Sequence, residues 1–292
     1  MKEFLTVKEF SALSGIEQTT LRYWDEIGLF SPVMRNPDNN YRRYSPNQII
    51  SANFITTLSK LNIPLKVIAQ AKRERTPRST VMLMEQQEKY LDMEMKRLRE
   101  SYSIIHTRLG LIRRGLRLEE QYAPPEALRA DDCVPKVEVV RHEENVYILG
   151  MPNEYRPGES HIEPFSRFCQ SAEELRINIS YPIGGYHKDI KGFLRAPDRP
   201  ENFFSLDPTG NRKQAEGMYL TGYCRCDYGE VGDLPQQLMA YAEENKLDLS
   251  GPVYTIYLYN EISERNPSKY LMQVYVAVSN KNVRQKNRGL HK

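Results

Sequence analysis

TVKEFSALSGIEQTTLRYWDEIGLFSP, residues 6–32, is the stretch on which the reading of this chain turns. Val7, Phe10 and Leu13 recur at i, i+3 and i+6, which is one face of a helix over Thr6–Ser14. Thr6 with Glu9 three residues on has the spacing of a capping box, and Gly15 supplies the left-handed residue that ends such a helix. A second helix is predicted over Glu17–Ile27, with Leu21, Trp24 and Ile27 facing inward and Gly28 stopping it. Two short helices around a glycine turn are the plan of a helix-turn-helix.

Outward from this stretch, a loop rich in Asn, Pro and Asp leads to YRRY at Tyr41–Tyr44, a basic and aromatic run suited to a short β wing. Helices are predicted over Pro46–Lys60 and Pro64–Arg73. Residues 1–75 carry 11 Lys/Arg against 7 Asp/Glu. A small helical domain with a solvated basic surface would show the same excess. Placement of the bases on both the second helix and the wing favours DNA.

From Val81 to Leu116 the chain keeps a heptad. Met84, Leu91, Leu98, Ile105 and Ile112 take one position, and Val81, Glu88, Met95, Tyr102, Leu109 and Leu116 the other. Only Glu88 interrupts the apolar seam. A lone helix cannot bury such a seam, so it implies a partner helix and a homodimer; the alternative is a helix lying on its own C-terminal domain. Gly115 and Ala123-Pro124-Pro125 end it. The expected organisation is therefore a DNA-binding domain over 1–75, a dimerisation helix over 76–120, a linker over 121–135, a domain over 136–280 and a basic disordered tail over 281–292.

Residues 136–280 read as α+β. Strand-like runs are VEVVR, NVYILGM, GMYLTGYC, VYTIYLYN and LMQVYVAV, with helices at about Ile162–Arg176 and Leu234–Asn245. This segment is acidic and holds 13 of the 19 tyrosines, whose ring faces attract cations. Gly184-Gly185 reads as a turn.

Two domains fit 292 residues. No apolar run is long enough for a bilayer, and MKEFLTVKEF lacks the layout of a signal peptide, so no membrane role and a cytoplasmic location are expected. Cys133, Cys169, Cys224 and Cys226 are too scattered for a disulfide framework. The five histidines show no ligand spacing, and no P-loop, dinucleotide or G-x-S-x-G fingerprint occurs. Neither a cofactor nor a metal is expected.

The front end resembles the MerR family of transcriptional regulators, through TVKEFSALSGIEQTTLRYWDEIGLFSP, YRRYS and LNIPLKVIA. Asn39-Asn40 stand where the family usually has a glycine before the wing tyrosine, and Asn can take the same positive-φ turn. The resemblance implies a winged helix-turn-helix on double-stranded promoter DNA, with Thr19, Thr20, Arg22 and Tyr23 on the recognition helix. Tyr41, Arg42 and Arg43 would lie on the wing, and Lys60 and Lys66 near helix ends. It also implies antiparallel pairing of the long helices. Family members that sense metals keep thiolates around the dimerisation helix, and residues 75–130 here contain no cysteine.

GPVYTIYLYN at Gly251–Asn260 and YLMQVYVAV at Tyr270–Val278 resemble the GyrI-like effector-binding domain of multidrug-sensing MerR regulators. That domain holds a cleft for bulky aromatic, often cationic, compounds. The family usually has glutamate where Thr255 stands, and often where Gln273 stands, so another acid (Glu154, Glu163 or Glu261), the tyrosines, or an uncharged ligand must answer. Strand alternation suggests that Tyr254, Ile256 and Leu258, with Met272, Val274, Val276 and Val278, pack against the helices. Thr255, Tyr257 and Tyr259, with Leu271, Gln273, Tyr275 and Ala277, would then line the cleft. Tyr147, Tyr186 and Tyr219 join as further candidates.

The expectation is a dimeric, ligand-responsive activator and not an enzyme, acting with RNA polymerase by bending and untwisting a promoter. The alternatives are a GyrI-like small-molecule hydrolase fused to a DNA-binding domain, or a metal-sensing regulator.

Overall fold

The computed structural model describes residues 2–74, 76–122 and 137–279. Packing divides the chain into two compact units, Met1–Arg99 and Glu100–Lys292. Most of the expected linker, the basic tail and Cys133 lie outside the described residues.

The first unit starts with a two-residue strand β1 (Leu5–Thr6) and helix α1 (Val7–Ser14). The Thr6 side chain caps α1 and the Glu9 carboxylate returns to the Thr6 backbone, a complete capping box. Gly15, at φ 70°, closes the helix. Helix α2 (Gln18–Glu26) follows, then a hairpin of β2 (Met34–Arg35) and β3 (Arg42–Tyr44), with β1 as its third strand. Asn40 takes φ 57° in the hairpin loop, the conformation a glycine would otherwise supply. Helices α3 (Gln48–Lys60) and α4 (Leu65–Glu74) complete the unit. Its core is aromatic: Phe10 lies 4.7 Å from Tyr44 and 5.9 Å from Phe30, with the Trp24 edge against Phe30.

Helix α5 (Pro77–Tyr122) is continuous over 46 residues. Met84 packs on the first unit's core. Leu91, Met95, Leu98, Tyr102, Ile105 and Leu109 are exposed in the single chain. Leu111, Ile112 and Leu118 pack on the second unit's own sheet.

The second unit is an eight-stranded antiparallel sheet. Its strands are β4 (Val137–His142), β5 (Asn145–Pro152), β6 (Ile183–His187), β7 (Asn202–Ser205), β8 (Arg212–Gln214), β9 (Gly217–Arg225), β10 (Leu249–Tyr259) and β11 (Leu271–Val278). Their order is β4-β9-β11-β10-β6-β7-β5-β8. Helices α6 (Ile162–Ser171), α7 (Ile190–Arg195) and α8 (Leu234–Glu244) complete it. One face buries Val253, Met272, Val274 and Val276 against Phe193, Leu234 and Leu238. The other buries Tyr254, Ile256, Tyr275, Leu258 and Leu271 beneath α5.

Gly184-Gly185 is not a turn. Both glycines lie inside β6, paired with Ile256 and Thr255 of β10. A Cβ on Gly184 would sit 2.4 Å from the Phe204 ring, so only a bare backbone fits.

Candidate functional site

In the first unit, Thr19, Arg22 and Tyr23 stand exposed on α2, with Thr20 partly covered. The wing is tied to that helix by one carboxylate: Asp25 Oδ2 accepts from Arg42 Nε and from Arg35 Nη2, each at 2.6 Å. Tyr41 is exposed on the hairpin and Arg43 half-buried; Lys60 and Lys66 are exposed on the last turn of α3 and the first turn of α4. Lys72 donates to the Leu29 carbonyl at 2.7 Å and lies 5.6 Å from the Phe30 ring centre, securing the turn after α2. Asp25 was missed from sequence because an acid between bases reads as background. Only its side-chain burial, 6% exposed, marks it as the anchor.

In the second unit, a cavity of about 340 Å³ opens on the sheet face that carries Thr255, Tyr257 and Met272. Its floor is β6 and β10. The Gly185 amide donates to Thr255 Oγ1 at 3.2 Å, and a Cβ on Gly185 would fall 2.5 Å from that oxygen. Phe165 and Phe203, edge to face at 5.3 Å, are lining residues; so are Tyr228 and Tyr257, 4.7 Å apart. Asp198 and Glu261 also line the cavity, and the Tyr228 hydroxyl donates to Glu261. His161 lines it too, its pKa lowered by burial, which favours the neutral ring. Arg108 is held by two bonds to the Ser180 carbonyl, at 3.0 and 2.6 Å.

Of the residues expected in a cleft, Thr255 and Tyr257 line this cavity. The grouping of Gln273 and Tyr275 with them needs correction. The register pairs Tyr254 with Tyr275 and Ile256 with Gln273, and directly paired residues share a face. Alternation within each strand is as expected, but the sets of the two strands join the other way round. Tyr275, Tyr219, Tyr147 and Tyr186 therefore pack with Tyr254 and Phe204 on the face covered by α5, opposite the one covered by α7 and α8. Gln273 Nε2 lies 3.4 Å from His142 Nε2, which is also 3.0 Å from Thr221 Oγ1. Tyr259, shifted by an irregularity after Tyr257, turns to α5 and donates to Glu119 Oε2 at 3.0 Å.

Glu261 is the one of the three candidate acids that lines the cavity; Glu163 instead caps Ser160 at 2.7 and 2.9 Å. His161, Phe165, Asp198, Phe203 and Tyr228 were not expected. They come from α6, from the short strand β7 and from loops, where no periodicity points inward. Cys224 and Cys226 bring their sulfurs to 3.2 Å, and the hydrogen bond with the neighbouring thiol, then burial, push Cys224 up. Among the described residues no group of three or more His, Cys, Asp or Glu could hold a metal ion, and no helix is long and apolar enough to cross a membrane.

Residues 5–74 match the family described as MerR HTH family regulatory protein. The chain is 24% identical to the multidrug-efflux transporter 2 regulator of Bacillus subtilis (strain 168), over 94% of this chain and 97% of that one. It is 40% identical to the transcriptional regulator BrlR of Pseudomonas aeruginosa, over 24% of this chain and 26% of that one. Among solved structures, EcmrR in its cryo-EM complex with DNA aligns over 94% of this chain and 99% of that one, at 16% identity and a TM-score of 0.36.

Proposed function

Residues 5–74 are a MerR-type helix-turn-helix domain, and from that premise we propose that the chain is a homodimeric transcription regulator switched by a flat aromatic cation in the cavity of its second unit. Promoter DNA is read by α2 (Thr19, Thr20, Arg22, Tyr23) and by the wing (Tyr41, Arg42, Arg43), with Lys60 and Lys66 adding phosphate contacts. Such contacts position the protein, and base-edge contacts give specificity. The exposed seam of α5 is the dimer interface. Ligand binding activates by distorting the promoter for RNA polymerase, a deformation of a few kcal/mol.

The observation that carries the ligand reading is the cavity itself: aromatic rings on its walls and the carboxylates of Asp198 and Glu261 beside them. Each ring over a cation contributes about 0.5–2 kcal/mol. Several such contacts plus apolar burial reach micromolar strength, roughly 8 kcal/mol. The 24% identity to a multidrug-efflux regulator along nearly the whole chain supports the same class.

Titrating rhodamine 6G against the chain, followed by fluorescence anisotropy, tests the reading. Micromolar binding that weakens at least fivefold in Glu261→Gln is expected. Unchanged binding in both Glu261→Gln and Tyr257→Ala would place the ligand elsewhere.

A further inference from the structure

We infer that Glu119, clasped by Arg225 and Tyr259, is the residue through which occupancy of the cavity acts on the long helix; this rests on the ligand reading above. The segment from 260 to 269 has two sides. Asn260, Glu261 and Ile262 line the cavity. Ser263, Glu264 and Lys269 face a second groove of about 280 Å³, whose far wall is Ile112, Leu116 and Glu119 of α5. One short stretch of chain therefore touches both the ligand space and the helix.

Its two ends are fastened to the same carboxylate. At the start, Tyr259 donates its hydroxyl to Glu119 Oε2 at 3.0 Å. At the finish, Arg225 holds the Lys269 carbonyl through Nη1 at 2.9 Å and donates through Nη2 to Glu119 Oε1. The Arg225 side chain is 13% exposed, and its buried Nε has no hydrogen-bond partner among the described residues. Its charge is thus answered mainly by Glu119. Gly115, one turn earlier, lets the Tyr259 ring lie directly on the helix. A ligand that draws on Glu261 or Ile262 displaces the segment between these two fastenings. The displacement reaches Glu119 through groups that cannot slip without leaving a charge unpaired. Helix α5 is unbroken from there back to Pro77.

The test is hydrogen–deuterium exchange on the full chain with and without saturating rhodamine 6G, in wild type, Glu119→Gln and Arg225→Lys, each checked for an intact thermal transition. Arg108 of α5 itself lines the cavity, so the coupling is read beyond it: the dye is expected to change exchange of the amides of Gly115–Tyr122 in wild type. Both variants should bind it within about threefold of wild type yet lose most of that change. If the variants bind the dye and alter α5 as wild type does, or if dye binding leaves wild-type α5 unaltered, the coupling role of Glu119 is overturned while the cavity reading stands. If wild type fails to bind the dye, the cavity reading falls and takes this inference with it.

Discussion

Gly115 of α5 lies flat against Tyr259 of β10: a Cβ built on the glycine would stand 2.5 Å from the ring's Cε1 and 2.9 Å from its hydroxyl oxygen. The ring cannot retreat freely, because it is 8% exposed and its hydroxyl is bonded to Glu119. Gly115→Ala should therefore lose about 1–3 kcal/mol by overpacking, despite alanine's better helix propensity. Urea unfolding checks the sign; a stabilised variant would mean that helix and ring are not in contact.

Arg22 is exposed on α2, whereas Arg42 is bound to Asp25. Arg22→Ala should weaken promoter binding more than tenfold at moderate salt by removing a phosphate contact. Asp25→Asn removes the charge that holds both Arg35 and Arg42, so the wing loosens while two cations are freed. Its expected signature is a steeper salt dependence with reduced sequence discrimination, measured by anisotropy on promoter and random DNA. An unaltered salt slope would disprove the anchoring role.

Local signals were legible and long-range register was not. The capping box of Thr6 and Glu9, the glycine stop at Gly15 and the positive φ at Asn40 are set by neighbours within four residues, and each stands as read. The five long strands were visible because aliphatic and aromatic residues fill them. Strand β7 (Asn202–Ser205), short and flanked by Pro200 and Asp207, carries no alternation long enough to detect. Strand β6 was hidden by its glycines, read as a turn because what forces them, Phe204 and Thr255, arrives from distant strands. Which face Gln273 takes depends on pairing Ile256 with Gln273 rather than Thr255 with Gln273, a shift of one residue. Nothing in one strand encodes that choice.

The seam of α5 gives a prediction about assembly. Leu98 and Ile105 are 59% and 58% exposed in the single chain. Aspartate at either costs the monomer little, since water already reaches the site, but costs a dimer several kcal/mol through an unpaired buried charge. Leu98→Asp and Ile105→Asp should both sediment as folded monomers. Dimers from both would locate the interface elsewhere.

Two buried histidines set a dependence on pH. Burial holds His142 down to about 3 and His187 down to about 4, against an ordinary 6.5. The folded chain excludes protons that the unfolded chain accepts. The contribution is complete above about pH 6.5 and is lost as pH falls toward 4 and then 3. Each group adds up to about 1.4 kcal/mol per pH unit across that window. Neither ring nitrogen of His187 has a partner among the described residues, and the ring meets Phe193 at 5.2 Å. His187→Leu should therefore stabilise the fold and remove about one proton from the slope. Urea midpoints at pH 7.5 and 5 decide it, and an unchanged slope refutes the assignment.

Thr255 and Gln273, expected from the sequence to share one face, lie on opposite faces of the sheet, so placing a carboxylate at each should have different consequences. At Thr255 a glutamate enters the cavity floor beside Gly185 and close to Tyr257. Desolvation there raises its pKa and a bound cation lowers it, so cation and carboxylate favour one another. At an effective dielectric near 20, a charge pair 4 Å apart is worth about 4 kcal/mol before desolvation is subtracted. A net gain of about 1.4 kcal/mol, or tenfold, is a reasonable remainder. Thr255→Glu should thus tighten rhodamine 6G about tenfold at pH 7.5, and leave a neutral dye of the same ring system unchanged or weaker. The gain should fade as the pH is lowered and the new carboxylate protonates. Gln273→Glu instead sets its charge beside His142, beneath α5 and away from the cavity. It should leave both dyes unaffected while raising the pKa of His142. Fluorescence titration of the two variants with the two dyes separates the faces. Equal tightening of the cation by both substitutions would show that the sheet does not divide position 273 from the ligand.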